Sequence, residues 1–146
     1  PSAVSRLFKM GVEPFLIANS INLVMAQRLV KKLCNHCKEV DPAPDRESLE
    51  LLGFSEEEIE TTTFYKPVGC DKCTAGYKGR TAIMEAMYFY PEIRREIITS
   101  SENIDEDRLR EIGEEQGMLS LREAGRMRIM QGIASVEDIL AKTLED

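Results

Sequence analysis

The 146-residue sequence has a single histidine, His36, and this scarcity limits the chemistry available to its side chains. A Ser-His-Asp or Cys-His arrangement needs an imidazole as its base. His36 lies between two cysteines, where we expect a solvated ring rather than a catalytic base or a metal ligand. The phosphate-binding patterns GxxxxGK[ST] and GxGxxG are also missing from the sequence. We therefore expect neither nucleophilic catalysis nor ATP hydrolysis by this chain alone.

Positive charge is in the minority, with 19 basic against 26 acidic residues and a formal net charge of -7. Broad nucleic-acid binding requires Lys and Arg to neutralise phosphates, so nucleic acid is not an expected partner. Long apolar runs are missing as well, because polar residues interrupt residues 15–33 where a membrane span needs about 20 predominantly apolar ones. The sequence starts without Met or a secretory signal, and we expect a fragment of a larger protein.

The sequence does contain many signals for the ends of helices. Three serines have the spacing of helix N-caps: Ser55, Ser120 and Ser135. Pro14 is expected to open a long helix that reaches about Leu33 and is buried on all sides. Strands are predicted over residues 61–66 and 80–90, which are expected to pair as a short β-hairpin. The predicted fold class is α+β and mostly helical.

All four cysteines occur in two CxxC pairs, Cys34-Asn35-His36-Cys37 and Cys70-Asp71-Lys72-Cys73. Two thiolates on a tight turn reach one ion at about 2.3 Å, and a second pair completes the tetrahedron that structural zinc prefers. Four protein ligands leave no open position for a substrate, which argues against a metalloenzyme. The sequence therefore predicts a structural Zn2+ ion bound by Cys34, Cys37, Cys70 and Cys73.

Other uses of the cysteines stay open at this level. The alternatives are four free thiols, two disulfides, a redox motif or an iron–sulfur cluster. Disulfides need an oxidising compartment, a redox motif needs only one pair, and iron–sulfur clusters commonly use other spacings. A stand-alone zinc-ribbon interaction module is the alternative function, although the basic residues near the cysteines lie in an acidic background. Arg28 falls inside the long predicted helix, where a structural ion pair is favoured over a nucleotide contact.

Three separated sets of motifs resemble the ATPases of type II secretion and type IV pilus assembly. They are residues 6–15 (RLFKMGVEPF) with 26–34 (AQRLVKKLC); residues 69–73 (GCDKC) with 76–81 (GYKGRT) and Glu85; and residues 117–118, 120–123, Gly125, 132–133 and 137–140. The likeness covers nearly the whole chain, and the motifs follow the family's order. The four cysteines fall on that family's zinc ligands.

The resemblance implies the C-terminal part of a cytoplasmic, homohexameric, RecA-like ATPase, which acts at the inner membrane through its machine. ATP and Mg2+ would bind the parent protein through motifs upstream of Pro1. Neighbouring subunits and an inner-membrane platform protein would be the partners. Residues 1–33 would come from the end of the ATPase core, residues 34–90 would form the inserted tetracysteine zinc module, and residues 91–146 would form a C-terminal helical subdomain. The cysteines favour the assembly or secretion branch over pilus-retraction relatives.

Overall fold

The computed structural model describes residues 1–144, which form an α+β fold, as predicted. The elements in chain order are α1 (Ser2–Lys9), α2 (Pro14–Ser20), β1 (Leu23–Leu33), β2 (Glu39–Val40), α3 (Arg46–Leu51), α4 (Glu56–Thr61), β3 (Tyr65–Lys66), β4 (Tyr77–Tyr88), α5 (Pro91–Ile98), α6 (Glu106–Glu115), α7 (Leu121–Met130) and α8 (Val136–Thr143). The longest helices in this range have 10 residues, too short to cross a bilayer.

Local sequence signals set most of the helix ends. Ser55 and Ser120 each form a capping box, in which the serine Oγ accepts the N–H of a glutamate three residues later and that glutamate's carboxylate accepts the serine N–H. Ser135 caps α8 by accepting the N–H of Asp138. Gly11, Gly53, Gly117 and Gly132 follow helices with positive φ. The three serine caps confirm the predicted signals, which depend on only a few neighbouring residues.

The long helix predicted over residues 14–33 is wrong. Helix α2 begins at Pro14 as expected but ends at Ser20, and the rest of the segment forms β1, which pairs with β4. Apolar periodicity alone does not separate a buried helix from a strand, and here the long-range pairing decides. Leu23, Met25 and Leu29 are about half exposed, so their apolar character does not reflect burial in this chain.

The predicted hairpin between residues 61–66 and 80–90 is also wrong. Strand β3 contains only Tyr65–Lys66 and pairs antiparallel with β2, with Val40 opposite Tyr65. The longer strand β4 pairs with β1 instead. Strand propensity located most of β4 but only the last two residues of the predicted strand over residues 61–66, whose first residue, Thr61, ends helix α4. Propensity also carries no information about which strands become neighbours.

The chain folds into two compact units, each built from two separate stretches. The first unit combines Pro1–Ala26 with Glu85–Leu119, and the second combines Gln27–Met84 with the chain from Ser120 onward. The core of the first unit consists of Val4, Ile17, Ala18, Met87, Phe89, Ile93, Ile97, Ile104, Leu109, Ile112 and Met118. In the second unit, α8 packs against both α3 and α7. The three-part division of the sequence into residues 1–33, 34–90 and 91–146 stays a prediction.

Helices α7 and α8 approach so closely that Gly125 has no room for a side chain. A Cβ at Gly125 would lie 2.5 Å from Cγ2 of Ile139, which is fully buried. We expect Gly125→Ala to lower the free energy of unfolding by about 1–3 kcal/mol, because this overpacking outweighs the gain of about 1 kcal/mol in helix propensity. Urea unfolding followed by circular dichroism measures the change.

Gly113 in α6 provides the matched control for that substitution. It is also a helical glycine, but a Cβ there would meet the flexible end of Met118, at 3.0 Å from Cε. Gly113→Ala should therefore be close to neutral, because the methionine side chain can turn aside. Equal destabilisation by both substitutions would contradict the close packing of α7 against α8.

Candidate metal centre

The structure brings the four cysteines together. The Sγ–Sγ distances are 3.8 Å for Cys34–Cys70, 3.7 Å for Cys37–Cys73 and 3.6 Å for Cys70–Cys73, and all four sulfurs lie within 4.8 Å of one another. Four thiolates at about 2.3 Å from one tetrahedral ion are about 3.8 Å apart. A disulfide would need about 2.05 Å. The sulfurs are therefore spaced as ligands of a single tetrahedral metal ion.

The backbone holds each cysteine pair in a turn and links the two turns. After β1, the N–H groups of Cys37 and Lys38 both donate to the Cys34 carbonyl, at 3.4 and 2.9 Å. The Cys34 N–H donates to the Gly76 carbonyl at 2.9 Å, and the Gly69 N–H points at the Cys37 Sγ at 3.4 Å. The second pair is thereby held against the first by main-chain contacts as well as by any metal.

The loop after the second cysteine pair depends on Gly76. This residue has φ +91°, and a Cβ there would lie 2.5 Å from the Cβ of Pro67 and 2.7 Å from the backbone nitrogen of Val68. Ala75 also has positive φ, at 52°. Glycine is thus required for both its conformation and its size, which lets the chain cross closely over residues 67–68.

The neighbouring thiols perturb one another's ionisation. A backbone hydrogen bond at Lys72 lowers the pKa of Cys70, but burial and the three other thiols raise it, to about 12 overall. Burial raises the pKa of Cys73, but contacts with the Cys70 backbone and thiol outweigh it and bring the pKa to about 7. Four thiolates this close repel one another, and a coordinated cation removes that repulsion because coordinating thiols are deprotonated.

Hydrogen bonds also join β1 and the cysteine-bearing segments to the first turn of α8 and to the connection between α7 and α8. They run from the Leu33 N–H to the Ile133 carbonyl (2.7 Å), from Lys38 Nζ to the Gly132 carbonyl (2.8 Å), from the Lys31 N–H to Asp138 Oδ2 (2.7 Å), and between Tyr77 OH and Ser135 Oγ (2.8 Å). Asp138 is only 6% exposed, and Lys31 Nζ lies 3.8 Å from its other oxygen. The metal centre is therefore anchored on the C-terminal helices.

Sequence reasoning missed this role of Asp138. Its position three residues after Ser135 indicated only a helix start, whereas its carboxylate satisfies a strand N–H 107 residues earlier in the chain. Asp138 lies on the opposite side of α8 from the apolar stripe that contains Val136 and Leu140, so helical periodicity gave no signal that it would be buried. A buried carboxylate needs a partner, which here is the N–H of Lys31.

Two other residues singled out from the sequence lie outside the cysteine cluster. The His36 side chain is exposed, which agrees with the solvated ring expected for it. Arg28 is exposed on β1 rather than inside a helix, and its Nη1 donates to the carbonyl of Gln27 at 3.1 Å. A nucleotide contact by Arg28 stays a prediction.

Comparisons with known proteins agree with this arrangement. Residues 1–141 match the family described as Type II/IV secretion system protein. The type IV pilus assembly ATPase PilB of Thermus thermophilus is 44% identical over 144 residues, covering 98% of this chain and 16% of the relative. PilB of Pseudomonas aeruginosa is 43% identical over 136 residues, covering 93% of this chain and 23% of the relative.

A relative from a secretion machine is similar to a comparable degree. The type II secretion system protein HxcR of Pseudomonas aeruginosa is 39% identical over 143 residues, covering 97% of this chain and 26% of the relative. The chain thus spans about a quarter or less of the length of these relatives. Because the family match extends over nearly the whole chain, including all four cysteines, the chain belongs to the type II/IV secretion system protein family.

Proposed function

We propose that this chain is the C-terminal, zinc-binding segment of a hexameric ATPase that drives type IV pilus assembly or type II protein secretion. The observation that carries the proposal is the spacing of the four sulfurs, which fits one tetrahedral ion, in a chain homologous to such ATPases along its length. The segment would act on the cytoplasmic side of the inner membrane, within a larger protein.

The metal would serve as a structural link. Cys34, Cys37, Cys70 and Cys73 would hold Zn2+, and four thiolates leave no open position for substrate chemistry. Three of these cysteines are partly exposed, so apolar burial alone stabilises the two turns weakly. A tightly bound ion would stabilise the two turns in place of a larger apolar core. The hydrogen bonds from this region to Gly132 and Asp138 would then hold helices α7 and α8 in position.

The rest of the machinery would belong to the parent protein. ATP and Mg2+ would bind in the RecA-like ATPase core, with Arg28 as a nucleotide contact from this segment. Neighbouring subunits of the homohexamer and the inner-membrane platform protein would be the partners, and nucleic acid would not. We infer that the ordered metal centre transmits the movement of the ATPase to one of these partners.

Segment exchange in Pseudomonas aeruginosa tests the proposal, because PilB and HxcR occur in the same organism. The chain replaces the corresponding segment of either protein in a strain that lacks it. Surface pilin measures assembly by the PilB chimera, and the exported protein fraction measures secretion by the HxcR chimera. We expect at least one chimera to restore function, and the one that does so identifies the branch.

In parallel strains, each chimera carries the additional substitution Cys70→Ser. Strains in which the native segment has been returned serve as the positive control. The cysteine variant should lose assembly or secretion while the purified protein still binds nucleotide, since the phosphate-binding motifs lie elsewhere. Two chimeras that accumulate and hydrolyse ATP but restore neither process would overturn the proposal. So would full function with Cys70→Ser.

A further inference from the structure

The second unit contains a groove of about 460 Å³ to which the proposed function gives no role. Its walls come from residues 41–48, residues 64–67 and helix α8. Phe64 and Ser135, both among its lining residues, are each only 3% exposed. A groove of this size lies in the volume range of ligand pockets, about 300–1,000 Å³.

One face of α8 makes the groove apolar. Val136, Leu140 and Leu144 line it at positions i, i+4 and i+8, while the adjacent Ile139 and Thr143 are fully buried in the unit. Leu144 is 54% exposed. Phe64 and Pro67 add further apolar surface from another part of the chain. The groove therefore offers apolar contacts that the unit's own core does not use.

The charge along the groove has one prevailing sign. Three carboxylates line it, those of Asp41, Asp45 and Glu137, against the single cation of Lys66. Asp41 and Asp45 accept hydrogen bonds from the Ala43 N–H (3.1 Å) and Ser48 Oγ (2.6 Å), which leave their charge uncompensated. Glu137 is exposed and, among residues 1–144, its carboxylate has neither a hydrogen bond nor an ion pair.

We propose that this groove binds a basic segment of a partner protein, which inserts apolar side chains along α8 and places Lys or Arg beside Asp41, Asp45 and Glu137. The apolar face supplies affinity, and the carboxylates select the sign of the partner's charge. A phosphate-bearing ligand or anionic membrane would meet three carboxylates and one lysine. A second copy of the chain, with its net charge of -7, is likewise disfavoured.

A designed peptide tests the groove directly. The probe is a fluorescein-labelled amphipathic peptide of about 14 residues, four helical turns, with Leu on one face and Lys on the other. A second peptide has Glu in place of every Lys. Fluorescence anisotropy with the zinc-loaded chain should show saturable binding of the Lys peptide and at least about tenfold weaker binding of the Glu peptide.

Glu137 and Glu57 form a matched pair of charge-reversal variants. Both follow a capping serine by two residues, in the first turn of α8 and of α4 respectively, and both are exposed. Only Glu137 lines the groove. Glu137→Lys should weaken binding of the Lys peptide about fivefold, whereas Glu57→Lys should change it by less than about twofold.

Leu144 and Leu51 form a second pair, for the apolar contact. Both leucines lie at the C-terminal end of a helix and are about half exposed, at 54% and 50%. Leu144→Ser should weaken binding about fivefold because it removes apolar surface from the groove, and Leu51→Ser should leave it nearly unchanged. Circular dichroism and metal content confirm that each variant stays folded.

Four results would overturn this proposal. If Glu137→Lys and Glu57→Lys weakened binding equally, the peptide would be responding only to the net negative charge of the chain and not to the groove. Absence of saturable binding would remove the groove as a docking site for basic segments. Tighter binding to phosphatidylglycerol vesicles, or self-association lost in Leu144→Ser by sedimentation, would assign the groove to a membrane or a second copy. The peptide measurements use the chain by itself, so they can fail while the PilB or HxcR chimera succeeds.

Discussion

A chain with Cys70 replaced by Ser is expected to keep less than about a tenth of the zinc bound by the unmodified chain, measured by elemental analysis after purification without added metal. Cys70 lies within 3.8 Å of Cys34 and 3.6 Å of Cys73, so its removal opens the ligand set. The unmodified chain should carry about one zinc per molecule, since the four thiolates define a single tetrahedral site.

The loss of metal should extend to the fold of the second unit. Removing zinc with a strong chelator, like the Cys70→Ser change, should lower the helical circular dichroism signal in part, because the α7–α8 connection is bonded to the cysteine segments. The first unit has its own core and should persist. His36→Ala, which alters an exposed side chain within the same turn, is the control and should leave metal content unchanged.

Iron instead of zinc would show that the ligand set binds a different metal. A chain that contains no metal, and folds equally well before and after chelation, would contradict the structural site. Either outcome leaves the family membership intact, because that rests on the match over residues 1–141 rather than on the metal.

Gly76→Ala should be the most damaging substitution outside the cysteines. The new Cβ would lie 2.5 Å from the Cβ of Pro67, and alanine would also have to adopt a φ of about +91°. We expect a loss of about 3 kcal/mol or more in the free energy of unfolding, with weaker zinc retention against a competing chelator. Urea unfolding and a chelator titration measure the two effects.

Gly117→Ala separates the two causes of that loss. Gly117 has a similar φ, +93°, but a Cβ there would meet nothing within 4 Å. This variant should lose only the conformational part, about 1 kcal/mol, and should retain zinc fully because Gly117 lies outside the metal centre. If Gly117→Ala were as damaging as Gly76→Ala, the close crossing over residues 67–68 would not be the cause.

The cysteine cluster and the helix ends could be predicted from the sequence because their determinants are local. Each CxxC pair spans four residues, and each capping box spans four as well, so neighbouring residues fix the geometry. The convergence of the two cysteine pairs followed from metal chemistry, which favours four sulfurs over two. Short sequence patterns of this kind are therefore sufficient to predict the local structure.

The strands could not be predicted in the same way. Residues 23–33 are rich in Leu, Met, Ala, Gln, Arg and Lys, which all favour helices, and only pairing with β4 makes the segment a strand. The groove along α8 could not be predicted from the sequence either, because its walls come from three separate parts of the chain. Contacts between residues far apart in the sequence determine each of these features, and short sequence patterns do not predict such contacts.

The order in which the metal centre's parts occur along the chain has a consequence for synthesis. The two cysteine pairs are 36 residues apart, whereas Asp138 follows Lys31 by 107 residues. On the ribosome, both cysteine pairs therefore emerge well before the helices that anchor them. A zinc ion bound at that stage closes a loop of modest length and so reduces the entropy cost of the later, more distant contacts. Metal supply during translation would then influence how quickly the second unit completes its fold.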